Sequence, residues 1–340
     1  MPFYIFGGSN SIFRDGWVAK FSELIGQPVH NRSVGATTTL SGIFRFLMPG
    51  EADQPREGDY VLWEYALNEV NHVSYGYRHE MILKNVEHFM TLCRDRGCKF
   101  IPIIMTPRWQ ENSVPRDPYY EKLMELFNNY GISPFDVSKE WRRSSGKIMP
   151  AFLYENNSHY ARNPGLMNFI ASGVANLIET SRIPNSIQSL YTAGRSVCLI
   201  EGLEKGFFKN SLMRVPTIPL PLSLELKGYG RIASILALCQ ADSETGVRVQ
   251  LRPGLNESRQ MRFSTTNINH KGVIVKSISL ERALGRGWER NWSFSSSDRL
   301  RISPALLPGA FYAERELRSN LIAPNSQSSM NIAGVMVENF

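Results

Sequence analysis

The first half of the chain alternates short apolar runs with longer segments in which apolar residues recur at helical spacing. Such runs are typical of buried strands, and such segments of amphipathic helices. We predict strands at residues 3–6, around Val29, and at 60–65, 100–105 and 132–137, and helices at 17–24, 38–47, 80–96, 119–129 and 164–179. This alternation predicts an α/β fold with a parallel sheet covered on both faces, in which ligands bind beyond the carboxyl ends of the strands.

The pattern changes near Arg182, where short apolar runs separated by proline and glycine replace the helical periods. We predict strands at residues 196–200, 222–226, 232–238, 247–251, 272–278 and 300–302, and an ordered segment at 332–337. Many short strands with few helices are typical of a β-sandwich. The 340 residues therefore predict two domains, an α/β domain at 1–184 and a β-sandwich at 185–340.

The net charge of +7 lies entirely in the second half of the chain. Residues 186–340 hold 19 Lys and Arg against 12 Asp and Glu, and the first 185 residues hold 19 of each. This asymmetry favours a second domain that meets an anionic ligand, such as an acidic polysaccharide or a phosphorylated compound. A basic surface that serves only solubility is the alternative, and we expect no nucleic-acid partner.

Targeting and metal-binding patterns are missing from the sequence. No run of eighteen apolar residues predicts a membrane span, and no basic and apolar leader precedes a cleavage site. The four cysteines (Cys93, Cys98, Cys198 and Cys239) and six histidines form no metal-ligand motif. We therefore expect a cytoplasmic protein with reduced thiols, no metal and no cofactor. No feature indicates its oligomeric state.

Two residues suit nucleophilic chemistry. Ser9 follows the first predicted strand and two glycines, so its hydroxyl lies at the carboxyl edge of the sheet and its amide near a helix N-terminus. His159 lies in a polar stretch, residues 156–165, that precedes the last helix of the first domain and can return to the end of the first strand. Taken singly, each also fits a turn serine or a solvated histidine.

Further polar residues follow the other strands. Gly35 comes after the second strand and can offer a backbone amide, and Asn68 comes in a loop after the third and can offer its side-chain NH₂. Arg108, Trp109 and Tyr160 are expected on the rim of the substrate site. In the second domain, Trp288, Arg290 and Trp292 are candidates for stacking on sugars, with core packing as the alternative.

Ser9, Gly35, Asn68 and His159 resemble, in order, the four signature blocks of the SGNH/GDSL hydrolases, over about residues 2–181. The resemblance implies a flavodoxin-like three-layer α/β/α sandwich. It also implies that Ser9 is the nucleophile and His159 the base. The amides of Ser9 and Gly35, together with the Asn68 side chain, would form the oxyanion hole.

Three positions depart from the family pattern. Gly8 stands where the family often has Asp, and Glu69 follows Asn68 where Asp is usual. Asn156 occupies the position of the acid three residues before the histidine. If Asn156 orients His159 through its side-chain oxygen, the site is a Ser–His dyad. Glu155 is the alternative orienting group.

The resemblance implies serine-dependent hydrolysis of an O-acyl ester, and an acetyl ester on a carbohydrate or polysaccharide is the expected substrate. One alternative is a polysaccharide O-acetyltransferase that uses acetyl-CoA. The other alternative is a non-catalytic carbohydrate-binding protein, because Asn156 replaces the acid.

Overall fold

The computed structural model describes residues 1–48, 54–113, 115–186, 188–209, 213–239, 244–252, 259–266, 274–280, 292–304, 312–313 and 331–339. The chain divides into two compact units, with the main division between Gly194 and Arg195. Residues 190–192 belong to the first unit, and their backbone amides donate to the Glu87 carboxylate at 2.6–2.7 Å. The boundary predicted after residue 184 precedes this segment.

The first unit is built on a sheet of five parallel strands in the order β2-β1-β3-β4-β5. The strands are β1 (Phe3–Gly7), β2 (Val29–Asn31), β3 (Tyr60–Glu64), β4 (Lys99–Ile104) and β5 (Phe135–Asp136). This order is that of flavodoxin-like folds, in which the chain reverses direction across the sheet beside β1. The carboxyl end of β1 is therefore the expected position for a ligand site.

Eight α-helices accompany the sheet in the described part of this unit. They are α1 (Trp17–Ile25), α2 (Thr39–Leu47), α3 (Ala66–Ser74), α4 (His79–Asp95), α5 (Arg108–Glu111), α6 (Pro118–Asn129), α7 (Val137–Ser145) and α8 (Pro164–Ala175). Two single 3₁₀ turns lie at Ser9–Ser11 and Ala151–Leu153.

Both faces of the sheet are covered, because successive strand residues point to opposite sides and nearly all of them are apolar. On one face, Ile5 and Leu62 join a buried cluster with residues of α1 and α8. On the other face, Phe6 packs against Phe46 of α2 and Phe89 of α4, with ring centroids 5.7 and 5.2 Å apart. The first unit is thus the predicted α/β fold.

Several predicted bounds differ from the structure. The strand predicted at 132–137 is only Phe135–Asp136, because Asp136 caps α7 by accepting a hydrogen bond from the amide of Lys139 at 2.9 Å. The helix predicted at 164–179 ends at Ala175. The segment from Ala66, expected to be a loop, is the first turn of α3, whose buried apolar residues are too few to show helical spacing.

The second unit is β-rich. Its strands are β6 (Ser196–Leu199), β7 (Gly206–Lys209), β8 (Arg214–Pro219), β9 (Leu222–Glu225), β10 (Gly230–Cys239), β11 (Glu244–Leu251), β12 (Arg259–Thr266), β13 (Ile274–Ser279), β14 (Ser293–Phe294), β15 (Arg299–Pro304), β16 (Tyr312–Ala313) and β17 (Asn331–Asn339). Within the described residues they form two sheets, one in the order β13-β10-β17-β8-β7, with β14 on β10 and β6 on β17, and one in the order β16-β12-β11-β15-β9. Every pair is antiparallel except β12 with β16.

One apolar cluster joins the two sheets of this unit. It includes Ile235 and Val335 from the first sheet and Val249 and Ile302 from the second. Trp292, a candidate for sugar stacking, is 1% exposed and belongs to this cluster, so its ring is core and not binding surface. The other two stacking candidates, Trp288 and Arg290, lie outside the described residues, as does the Cys239 side chain.

Among the residues that the structure describes, no helix has the length and apolar character needed to cross a membrane. Cys93, Cys98 and Cys198 are free thiols.

Candidate active site

Ser9 opens the single 3₁₀ turn that follows β1, so the chain changes direction at the carboxyl edge of the sheet. Gly8 precedes it in an extended conformation, and the Gly8 amide donates to the backbone oxygen of Glu64 at 3.0 Å. A Cβ on Gly8 would lie 2.6 Å from Nδ2 and 2.8 Å from Oδ1 of Asn68. The absence of a side chain at position 8 therefore lets Asn68 lie directly against the nucleophile turn.

A buried carboxyl group holds this turn from beneath. Glu64 Oε2 accepts hydrogen bonds from Ser11 Oγ at 2.7 Å and from the Gly8 amide at 3.2 Å. Burial raises the pKa of the Glu64 carboxyl from 4.5 to about 7, against the opposing effect of these two hydrogen bonds. Glu64 thus fixes the residues on both sides of Ser9 without reaching solvent.

His159 reaches the nucleophile from 150 residues away in the sequence. Its Nε2 lies 2.7 Å from Ser9 Oγ, and the Phe13 ring meets the imidazole edge-to-face at 5.5 Å between centroids. Burial lowers the pKa of His159 below its usual 6.5, and the nearby Glu155 charge opposes this shift only in part. A neutral imidazole with a free Nε2 lone pair is the form that can accept the Ser9 proton.

Asn156 is the residue at the other nitrogen of the ring. Its Oδ1 lies 3.1 Å and its Nδ2 2.9 Å from His159 Nδ1, and Oδ1 also accepts from the Ser158 amide at 2.9 Å. When Nε2 accepts from Ser9, Nδ1 carries the ring proton and donates it to Oδ1. Glu155 is turned away, because its Oε1 accepts from Arg162 Nε at 2.7 Å.

Asn10, which no sequence pattern indicated, forms hydrogen bonds with the backbones of Ser158 and Tyr160, the residues on either side of His159. Its Nδ2 donates to the backbone oxygen of Ser158 at 3.0 Å, and its Oδ1 accepts from the backbone amide of Tyr160 at 2.9 Å. Asn10 is buried and adjoins Ser9 in the 3₁₀ turn. One amide side chain therefore connects the nucleophile turn (Ser9–Ser11) to the histidine loop, which is the segment 154–163 before α8. No local sequence signal marks it, because its partners lie far along the chain.

Gly35 and Asn68 both lie beside Ser9. A Cβ on Gly35 would be 3.6 Å from the Cβ of Ser9, and Asn68 Nδ2 donates one hydrogen to the backbone oxygen of Thr37 at 2.7 Å. In the part of the chain that the structure describes, the loop and turn hydrogen bonds include none donated by the amides of Ser9 or Gly35. Two backbone amides and the second Nδ2 hydrogen are thus available in one place.

Glu69, the residue after Asn68, is fully buried and does not face the nucleophile. Thr39 donates to its Oε1 from the hydroxyl at 2.5 Å and from the amide at 3.1 Å, and Tyr119 donates to its Oε2. Burial raises its pKa from 4.5 to about 7. The acid at this position therefore connects α3 to α2 and α6.

The three residues expected on the rim have different positions. Arg108 and Trp109 are exposed and line a pocket next to the histidine loop. Tyr160 is 1% exposed, and its hydroxyl accepts from the Thr106 amide at 3.0 Å. The expectation for Tyr160 is therefore corrected: its side chain belongs to the core, because the chain turns inward directly after His159.

Three other described histidines have partners of their own. His79 Nε2 lies 3.0 Å from Asp117 Oδ1, His72 Nδ1 lies 2.7 Å from the backbone oxygen of Asn68, and the His30 ring stacks on Tyr4. Among the described residues, no three His, Cys, Asp or Glu side chains are grouped so that they could hold a metal ion. A histidine whose Nε2 lies 2.7 Å from a serine hydroxyl, at the carboxyl edge of a parallel sheet, is an arrangement that suits nucleophilic chemistry.

No protein-family model matches the sequence, and no curated protein does either. The chain is similar in structure to an acetyl xylan esterase (14% identical, TM-score 0.43, covering 52% of this chain and 100% of that one). It is also similar to a lipolytic G-D-S-L family protein from Veillonella parvula (12% identical, TM-score 0.42, covering 53% and 98%). A Bacillus subtilis protein is 15% identical, with a TM-score of 0.40, over 53% of this chain and 56% of that one.

Over about half its length, this chain is therefore similar in structure to solved GDSL proteins. GDSL is also the family whose motifs residues 2–181 resemble in sequence. The contacts of Ser9, His159 and Asn156, and not these similarities, support the function proposed below.

Proposed function

We propose that the chain is a serine-dependent O-acyl ester hydrolase whose substrate is an acetyl ester on a carbohydrate. The observation that carries this proposal is the 2.7 Å contact between Ser9 Oγ and His159 Nε2. A donor and an acceptor at this distance can transfer a proton as the nucleophile attacks.

The reaction has two halves. In the first, Ser9 Oγ attacks the ester carbonyl carbon while its proton passes to His159 Nε2. The tetrahedral adduct then collapses, and Nε2 returns the proton to the leaving sugar oxygen, which leaves an acetyl ester on Ser9. In the second half, His159 takes a proton from water as the hydroxide attacks the acetyl carbon; the bond to Ser9 Oγ then breaks, Ser9 Oγ takes the proton from His159, and acetic acid leaves.

The developing oxyanion would be held by the amides of Ser9 and Gly35 and by Asn68 Nδ2. The proximity of all three, with the Asn68 side chain buried against Gly8, supports this assignment. Losing one such donor in other hydrolases costs about 10²–10³ in kcat.

Because residue 156 is an asparagine and not an acid, we expect a lower kcat than a complete Ser–His–acid triad would give. An amide oxygen at Nδ1 fixes the ring tautomer but stabilises the imidazolium less than a carboxylate does. The site is therefore proposed to work as an oriented Ser–His dyad, slower than a triad but with the same order of steps.

Hydrolysis of p-nitrophenyl acetate and labelling by a fluorophosphonate test the proposal. Wild-type protein should turn over and be labelled, Ser9→Ala should do neither, and Ser74→Ala, an exposed serine on α3, should behave like wild type. Labelling that persists in Ser9→Ala contradicts the nucleophile assignment. Acetyl transfer from acetyl-CoA to a sugar without ester hydrolysis would favour the transferase, and sugar binding without either reaction a non-catalytic protein.

We also propose that the second unit is a β-sandwich that binds an acidic glycan. The apolar cluster shared by its two sheets supports the sandwich. The β7–β8 hairpin supports an acidic ligand. Lys209 and Arg214 are exposed and lie opposite each other on the two strands, and the Arg214 guanidinium lies 3.9 Å from the centre of the half-exposed Phe207 ring. Binding of the full chain to an acidic polysaccharide should weaken with salt and with Lys209→Glu, and equal binding to a neutral one would contradict the proposal.

A further inference from the structure

A pocket of about 470 Å³ lies beyond the carboxyl end of β4. Two segments line most of it: residues 108–112, which are α5 and the residue after it, and residues 148–151, which lie between α7 and the loop that carries His159. Pockets of this size accommodate small organic ligands, including a sugar ring with its substituents. All of its lining residues belong to the first unit.

Hydrogen bonds attach this pocket to the loop that carries His159. The Arg108 amide donates to the backbone oxygen of Asn157 at 3.0 Å. Trp109 Nε1 donates to Asn71 Oδ1 at 3.1 Å, and Asn71 Nδ2 donates to Ser158 Oγ at 3.2 Å. A group bound here would therefore lie against the residues that immediately precede the base.

The chemistry of the lining is an aromatic ring beside a cation. Trp109 is 39% exposed with its indole N–H held by Asn71, so the ring has a fixed orientation. Arg108 is exposed, and no described side chain pairs with its guanidinium. Ile148, 53% exposed, adds apolar surface.

The one carboxylate in the lining does not neutralise this cation. Glu111 is 3% exposed, and its oxygens accept from Ser138 Oγ at 2.5 Å and from Arg142 Nη2 at 2.9 Å. It also accepts from the Met149 amide and the Tyr154 hydroxyl, each at 3.3 Å. These partners saturate the carboxylate, so Arg108 remains available to an anionic ligand.

We propose that this pocket selects an acidic sugar, with the ring stacked on Trp109 and its carboxylate paired with Arg108. The proposal rests on the proposed esterase function, because it assigns the pocket to the sugar whose acetyl ester Ser9 would attack. An arginine offers planar bidentate pairing to a carboxylate, and an indole face suits the apolar face of a sugar ring.

Two measurements test the inference, and the first of them does not depend on esterase activity. The first is calorimetric binding of acetylated methyl glucuronide and acetylated methyl glucoside to Ser9→Ala, which cannot consume either ligand by the proposed route. We expect the glucuronide to bind about tenfold more tightly. Adding Arg108→Gln should remove most of that difference, whereas Arg94→Gln, an exposed arginine at the end of α4, should preserve it.

The second measurement is the ratio of kcat/KM for the two esters in the otherwise wild-type chain. Arg108→Gln should lower the glucuronide-to-glucoside ratio about tenfold, and Arg94→Gln should leave it unchanged. Equal binding of both sugars to Ser9→Ala, or an unchanged ratio in Arg108→Gln, would overturn the pocket assignment. Selective binding without hydrolysis of any ester would retain the pocket and instead refute the esterase.

Discussion

Asn10→Ala removes the clamp on the histidine loop and leaves the base and the nucleophile intact. The change deletes the donor to the Ser158 carbonyl and the acceptor for the Tyr160 amide, both at about 3 Å. Each buried backbone group left without a partner costs about 1–3 kcal/mol. Because two groups lose their partner, we expect the free energy of unfolding to fall by about 2–6 kcal/mol.

The effect on rate follows from geometry. Without the clamp, His159 is no longer fixed 2.7 Å from Ser9, and a displacement of about 1 Å costs on the order of 10²-fold in rate. We also expect the loosened loop to expose the His159 ring, which would weaken the effect of burial on its pKa and move the midpoint of the acid limb of the pH–rate profile up toward 6.5. A residue that contributed only to stability would not move this midpoint.

The assay combines urea unfolding with p-nitrophenyl acetate kinetics at several pH values. Asn163→Ala is the matched control, because Asn163 caps α8 by accepting from the Gly165 and Leu166 amides. It should cost about 1 kcal/mol of stability with no change in the pH profile. A folded Asn10→Ala protein with the wild-type kcat and the wild-type midpoint would refute the positioning role of Asn10.

Three further predictions concern the groups around the dyad. Asn156→Asp should raise the pKa of His159, shift the acid limb of the pH–rate profile upward and increase kcat above it, whereas Asn156→Ala should lower kcat; an unchanged profile in both would show that position 156 does not act on the ring. Because burial raises the Glu64 pKa from 4.5 to about 7, the folded state holds this proton more tightly than the unfolded state does, and the fold loses up to about 3 kcal/mol as the pH rises from about 4.5 to about 7. Glu64→Gln should thus be more stable than wild type in urea at about pH 8, with the difference shrinking toward about pH 5, and a constant difference would contradict this. Tyr160→Phe should leave the Thr106 amide without its partner and lower stability by about 1–3 kcal/mol with KM unchanged, and a raised KM with unchanged stability would return Tyr160 to the substrate site.

The sheet and the dyad could be predicted from the sequence because their signals are local. The apolar run ending at Phe6 and the glycines before Ser9 mark a strand and a turn, and the polar stretch around His159 marks a loop before α8. Adding the family resemblance placed both residues at one edge of the sheet, where the structure has them in contact.

The residues that were missed or misplaced depend on contacts distant in sequence. Asn10 gains its role from Ser158 and Tyr160, 148 and 150 residues further along the chain. Tyr160 has polar neighbours in sequence, but Thr106 at the end of β4 fixes its hydroxyl inside the core. Hydrophobic periodicity does not report such pairings.

The close approach of Asn68 to Gly8 has an evolutionary consequence. Any side chain at position 8, including the aspartate frequent in the family, would meet the Asn68 amide at under 3 Å. Asn68 would then have to move, and its 2.7 Å hydrogen bond to the backbone oxygen of Thr37 would be disturbed. Positions 8 and 68 are therefore expected to be epistatic: the effects of substitutions at the two sites on stability should not be additive, because each side chain occupies space that the other would need.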